Sequence, residues 1–255
     1  MGLLSLFGKG PLSPAKVAKI SKLACNPYAQ TDIRMREMAR LLNDGSPEAL
    51  FGAIKRFAAN ASGNIADEDE KKWLTNQLVE IGKKSLAPLA EYISTQEQLS
   101  YALRAYRRIA GDEATNNFVL ETLNRYGPDD YRSNEAKLQL IWEITQDIDN
   151  PNTLSNLVPF LVDHSDDVRW AVMDLCERAA SENKIPDEVK ENIIAKLSEI
   201  VLKDDNRPRI ERRAAQILCE QEWQVSGSEA NLPATLDEDF FLDKKRYVRR
   251  RAKRH

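Results

Sequence analysis

Apolar side chains recur along most of this chain at i, i+3, i+4, i+7 and i+11, with charged and polar residues between them, which is the spacing of a helix with one buried stripe. Leu99, Ala102, Leu103, Tyr106 and Ala110 form one such stripe, and Val168, Ala171, Val172, Leu175 and Ala179 another. Small polar residues followed by proline mark helix starts at Ser13-Pro14, Ser46-Pro47 and Asn150-Pro151, because proline at the first helical position gives up a donor that has no partner there. Caps and periodicity together predict helices over residues 14–25, 29–43, 47–60, 67–82, 85–94, 97–110, 113–126, 133–146, 152–162, 166–180, 187–202 and 208–221. Runs of alternating β-branched residues are scarce, so no sheet is expected.

Twelve helices make six hairpins of about 35 residues each, inside the period range of helical-hairpin repeats. A lone hairpin cannot bury its apolar stripe, and stacking on the next one supplies the missing partner. A shift of 69 residues lays "LSYALRAYRRIAG" from Leu99 onto "VRWAVMDLCERAA" from Val168. Between them Leu138, Ile141, Trp142 and Thr145 take the same phase, as core positions.

The segment "LVPFLVDHSDDVRWAVMDLCERAA", residues 157–180, resembles one unit of a HEAT repeat, with Asp163 in the turn and the pair Val168-Arg169 opening the second helix. "NIIAKLSEIVLKDDNRPRIERRAAQIL" resembles it in part, and the other units in period and phase. The resemblance implies an all-α solenoid of about six stacked helical hairpins over residues 12–221. A short apolar segment, 1–11, precedes it, an extended capping segment, 222–243, follows, and a basic C-terminal tail, 244–255, ends the chain. Some families of this kind bind nucleic acid, and others handle a bilin cofactor.

The turn at 163–167 gathers acids, a serine and His164, one of two histidines in the chain. Ser165 or Asp166 can cap the next helix, and acids there face the positive end of its dipole. A calcium loop starting at Asp163 would need glycine where Val168 stands and glutamate where Asp174 stands. With no second histidine, ligand-spaced cysteine or activated serine nearby, no catalytic residue, cofactor or metal is expected, and the chain is read as a non-enzymatic protein.

Second helices of stacked hairpins line the concave surface. In the 69-residue register Tyr101 pairs with Trp170, Arg104 with Met173 and Arg108 with Glu177, while the helix between offers Leu140, Glu143 and Asp147. Tyr101, Arg104, Arg108, Leu140, Trp170 and Met173 therefore form the expected docking row for a protein or peptide. The plainer reading is that Tyr101, Leu140 and Trp170 pack between neighbouring repeats.

Charge alters the picture only at the C-terminus. The chain has 37 Lys and Arg against 40 acids, yet its last twelve residues hold eight basic side chains and no acid. Lys244, Lys245, Arg246, Arg249, Arg250, Arg251, Lys253 and Arg254 can serve as a solvated tail, a nucleic-acid contact or an anchor to anionic lipid. Nucleic acid is the alternative partner, and a membrane is not expected. Three scattered cysteines and no signal or spanning segment point to a cytoplasmic protein of undetermined oligomeric state.

Overall fold

The proline-marked starts become helix starts. In the computed structural model, which describes residues 11–61, 63–145, 150–203, 207–229 and 231–252, α1 (Pro14–Ala24), α3 (Pro47–Ile54) and α9 (Pro151–Leu157) each begin at a proline. The Ser46 hydroxyl accepts from the Ala49 N–H and the Asn150 carbonyl oxygen from the Asn152 N–H, whereas Ser13 makes no such bond. The remaining helices among the described residues are α2 (Thr31–Asp44), α4 (Asn64–Ile81), α5 (Leu86–Thr95), α6 (Ser100–Ala110), α7 (Asp112–Tyr126), α8 (Asn134–Ile144), α10 (Asp166–Ser181), α11 (Asp187–Leu202) and α12 (Pro208–Glu220). Every predicted helix is present. Short 3₁₀ turns at Lys55–Ala58 and Val158–Val162 occupy positions where longer α-helices were expected, and one at Gly82–Ser85 joins α4 to α5. The last contains Pro159, which has no N–H to continue an α-helical ladder.

The chain divides within α7 into two compact units, residues 1–117 and 118–255. Each is an all-α stack of hairpins in two layers. In the first unit α1, α3 and α5 pack in succession as one layer, and α2, α4 and α6 as the other. Apolar residues of both layers, among them Met38, Leu50, Ile54, Leu74, Leu89 and Leu103, are fully enclosed or nearly so. Small residues bring α1 and α3 close: the Ser21 hydroxyl donates to the Gly52 carbonyl at 2.7 Å, and a β-carbon on Gly52 would lie 3.3 Å from Val17.

A charged cluster sits inside this unit. Arg34 of α2 grips Glu70 of α4 through two bonds of 2.9 and 2.6 Å, and Arg56 donates to the same carboxylate at 2.8 and 3.1 Å. Arg56 also donates to Asp67 at 2.6 Å, and Lys71 pairs with Asp67 at 2.8 Å. Arg34 and Glu70 are each 2 % exposed and Arg56 is wholly buried. Burial alone would raise the Asp67 carboxyl, but hydrogen bonds from Lys71, the Ala61 N–H and Arg56 outweigh it and bring it down to about 2. Glu70 is likewise lowered, burial being outweighed by Arg34 and Arg56.

In the second unit α8, α10 and α12 form one layer, and α11 packs against the turn after α9 and against α12. Here the turn at 163–167 is a structural joint. Asp163 is fully buried, with one carboxylate oxygen accepting from Lys137 Nζ of α8 at 2.6 Å and the other from the Ser165 N–H at 2.8 Å. The Arg169 guanidinium donates to the Asp163 carbonyl, and the Ser165 hydroxyl caps α10 through the Val168 N–H. His164 is exposed and lends its carbonyl to Arg207 at 3.0 Å. Among the described residues no cluster of His, Cys, Asp and Glu could hold a metal.

The C-terminal basic run is largely folded onto its own chain. β1 (Phe240–Leu242) and β2 (Val248–Arg250) pair antiparallel, Phe240 opposite Arg250, and β2 packs on α12. Phe240 and Val248 of this hairpin are buried, as are Trp223, Val225 and Leu236, while Phe241 turns outward. Arg249 pairs with Glu222 and Asp243, Arg250 with Glu220 and Arg251 with Asp237. Arg246 donates to the carbonyls of Val225 and Glu229. Lys244 and Lys245 are exposed; Lys253, Arg254 and most of the N-terminal segment 1–11 lie outside the described residues.

Two outcomes follow for stability. Because the Asp67 and Glu70 carboxyls titrate lower in the folded chain, their contribution is complete above the unfolded carboxyl range near pH 4 and disappears as pH falls toward 2; urea midpoints measured from pH 6 to pH 2 should drop, and should drop less in Asp67→Asn. Truncation after Asp243 removes β2 and the buried Val248, and should lower unfolding stability by about 2 kcal/mol or more, whereas a merely appended tail would leave the midpoint unchanged.

Candidate functional site

The second helices of the second unit share one register, set by their starts. Ser133 and Ser165 precede α8 and α10, so residue 134 corresponds to 166, and Pro208 begins α12 at the same place. In this register Ala136, Val168 and Ile210 are buried, followed by Lys137, Arg169 and Glu211, also buried. Four positions on, Leu140-Ile141, Val172-Met173 and Ala214-Ala215 are all enclosed. The residues turned away from that stripe are Leu138 and Trp142 on α8, Trp170, Asp174 and Glu177 on α10, and Arg209, Arg212, Arg213 and Gln216 on α12.

This arrangement redistributes the predicted docking row. Leu140 and Met173 are fully buried and belong to the core, so neither can touch a partner. The error lies in the register: a shift of 70, not 69, brings Leu103 onto Met173 and the exposed Arg104 onto the exposed Asp174. One residue is a rotation of about 100° on a helix, enough to exchange a surface position for a core one. Trp142, assigned to the core by the sequence pattern, is instead 54 % exposed. Counting from the serines before α8 and α10 would have placed it correctly.

Tyr101, Arg104 and Arg108 belong to α6 of the first unit. The half-buried Tyr101 ring stacks on Phe57, centroids 5.7 Å apart with 17° between planes, and the Arg104 guanidinium lies 5.6 Å from the Tyr101 ring centroid. Arg108 donates to Asn76 on α4 at 2.7 Å. Tyr101 thus packs between neighbouring helices, while Arg104 and Arg108 remain exposed.

Trp170 is the centre of the second-unit face. Arg209 stands 4.4 Å from the ring centroid and Arg213 5.4 Å, both reaching across from α12. Such contacts combine dispersion with attraction between cation and ring face, worth about 0.5–2 kcal/mol each. Arg213 is fixed by Asp174 and Glu177, each at 2.6 Å, which leaves its side chain only 11 % exposed. Burial would lower the Arg213 pKa, but the hydrogen bonds to Glu177 and Asp174 outweigh it and raise the pKa. Arg209 has a looser neighbour, Asp167 at 3.6 Å, and stays largely open to solvent. The face therefore runs from an exposed indole on α8, through a clamped indole on α10, to an available guanidinium on α12.

A concavity of about 430 Å³ between the turn after α9 and α11 is lined mainly by Pro128, Val158, Pro159, Val162, Val189 and Ala195, without an acid–base pair. Burial raises the thiol pKa of Cys25 and pushes that of Cys176 up to about 12, so both are thiols at neutral pH.

No family model matches this chain, and no curated protein does. Among solved structures it is similar to an engineered protein, with TM-score 0.38 and 14 % identity over 82 % of this chain and 64 % of the other, so that it spans just under two thirds of that protein. It is also similar to computationally designed armadillo repeat proteins for modular peptide recognition, with TM-score 0.39 and 20 % identity over 81 % of this chain and 92 % of the other. Scores this low establish neither a shared fold nor a shared ligand.

The corrected register has a measurable consequence. Met173→Ala should cost about 2–5 kcal/mol in urea or thermal unfolding, and Arg104→Ala should stay within about 0.5 kcal/mol of the parent, although the predicted row treated the two as equivalent.

Proposed function

We propose that this chain is a HEAT-like repeat scaffold, cytoplasmic and non-enzymatic, that binds a protein or peptide on the second-helix face of its second unit. The observation that carries the reading is the pair of surface indoles on adjacent helices, Trp142 and Trp170, with Trp170 held beneath Arg209 and Arg213. Tryptophan and arginine are the residue types over-represented among binding hot spots, and rigid presentation lowers the entropy lost on docking. An extended peptide suits this face if it offers an apolar side chain to Trp142 and a carboxylate to Arg209. Tyr101, Arg104 and Arg108 form a separate patch in the first unit. The basic C-terminal end is the weaker candidate for a partner, since Arg249, Arg250 and Arg251 already meet acids of their own chain.

Selection of a random peptide display library against the full chain tests this reading. Selected peptides should contain an acid near an aromatic or aliphatic residue. Their affinity should fall roughly thirtyfold in Trp170→Ala, as expected for a hot-spot residue, and should also fall in Trp142→Ala and in Arg209→Glu, whose exposed side chains put folding at little risk. Peptides that bind all three variants as well as the parent place the site elsewhere.

A further inference from the structure

The first-helix layer of the first unit carries exposed charge mainly of one sign and one residue type. Across α1, α3, α5 and the 3₁₀ turns adjoining them, the exposed ionic side chains are Lys16, Lys19, Lys22, Lys55, Lys83 and Lys84, against Glu48 and Glu91. None of these lysines forms an ion pair among the described residues. The exposed arginines of this unit, Arg36, Arg40, Arg104 and Arg108, all stand on second helices.

Between α1 and α3 this layer holds a groove of about 710 Å³. Val17, Ala18, Phe51, Gly52 and Ala58 help to line it, and the small side chains among them leave the space open. Lys22 borders it from α1 and Lys55 from the turn after α3, while Glu48 is the one acid lining it among the described residues. The Lys55 ammonium lies 4.9 Å from the Phe51 ring centroid, so its charge stands over the apolar lining. The Ser21 hydroxyl is already engaged, since it donates to the Gly52 carbonyl at 2.7 Å.

We propose that the groove between α1 and α3 receives an acidic amphipathic helix of a partner protein. An apolar ridge of the ligand, at i, i+3, i+4 and i+7, fills the space against Val17, Ala18 and Phe51, and acids flanking that ridge meet Lys22 on one side and Lys55 on the other. Lys19, one turn earlier on α1, adds to the same field. The lining also selects for a helix: an extended segment would cover its own N–H and C=O groups against apolar side chains, whereas a helix satisfies them internally. The 11 residues of α1 span about 16 Å, which sets the contact at about three turns. A planar bilayer would rest on the rim and leave the apolar lining uncovered. Nucleic acid draws on arginine for bidentate phosphate contacts, and this layer exposes none. The groove lies in the first unit, so it is independent of the peptide face of α8, α10 and α12.

A display library of helical miniproteins randomised on one face, selected against the full chain, tests the proposal. One class of binders should carry acids on both flanks of an apolar stripe and should bind Trp170→Ala as tightly as the parent. For that class, affinity should fall on the order of a hundredfold in Lys22→Glu with Lys55→Glu, where two attractions become repulsions. It should fall about tenfold in Ala18→Gln, which makes the ligand cover an amide without a partner, and should be retained in Lys22→Arg with Lys55→Arg. Ala18, Lys22 and Lys55 are exposed, so these variants should melt with the parent. Bound ligand should also slow alkylation of Cys25, which lines the groove. The proposal is overturned if no acidic class emerges, if its members bind the Lys22→Glu, Lys55→Glu variant like the parent, or if Cys25 reacts equally fast with ligand bound. It is also overturned if single-stranded RNA or phosphatidylserine vesicles bind through Lys22 and Lys55 more tightly than the selected helices.

Discussion

A charge removed from water has to be met where it lies, and in this protein that requirement fixes how one hairpin meets the next. Near the start of the second helices a charged side chain points inward: Arg34 on α2, Lys137 on α8, Arg169 on α10 and Glu211 on α12. Arg34 and Lys137 find partners in another hairpin, whereas Arg169 donates to the Asp163 carbonyl in the turn before its own helix. Arg34 reaches Glu70 on α4, Lys137 reaches Asp163 in the turn before α10, and Glu211 receives the Arg207 N–H and the Thr235 hydroxyl. Such pairs add little net stability over a well-packed apolar substitute, yet removing one member leaves the other buried and unpaired, at about 3–5 kcal/mol. Their effect is to penalise misalignment: a hairpin shifted by one residue would keep much of its apolar contact and lose the Arg34–Glu70 and Lys137–Asp163 pairs.

Apolar burial supplies the drive that this pairing directs. Two layers form in each unit because every helix has one stripe to cover, and the neighbouring hairpin provides the cover. The same geometry leaves the far side of α8, α10 and α12 without an obligatory partner. Trp170 there is covered by arginines that arrive from the next helix, and Arg212 pairs with Asp239 beyond α12. A face assembled from side chains of successive repeats is held by the stacking itself, so its shape persists without a ligand.

The helices were legible because their signals are local. Proline at a first helical position and a repeating apolar stripe are properties of short segments, and all of the predicted helices appear, those over 47–60 and 152–162 passing into a 3₁₀ turn at Lys55 and Val158. The face was less legible because it depends on phase between distant segments. Repeats here are unequal in length: α8 and α10 start 32 residues apart, α10 and α12 start 42 apart, so no single shift aligns them all. The apolar residues on both sides of Leu103 and Val172 tolerate a one-residue slip in the pattern, which sent Met173 to the surface, and a two-residue offset of α8 against α10 sent Leu140 to the surface and Trp142 to the core. Buried charge was the available corrective, since Lys137, Arg169 and Glu211 align only in the right register.

Sequence also locates charge without saying whether it is available. The C-terminal run is the densest cluster of cations in the chain, and Arg249, Arg250 and Arg251 are nevertheless answered within the fold, because strand pairing carries them past Glu220, Glu222, Asp237 and Asp243. Lys16, Lys19 and Lys22 are fewer and further apart along the chain, yet a helix turns them to one side, where none of them forms an ion pair among the described residues. A field felt by a partner depends on what remains after such local compensation. The smaller group of lysines therefore has the stronger claim to an external counter-charge than the longer run of arginines, a conclusion that counting residues would reverse.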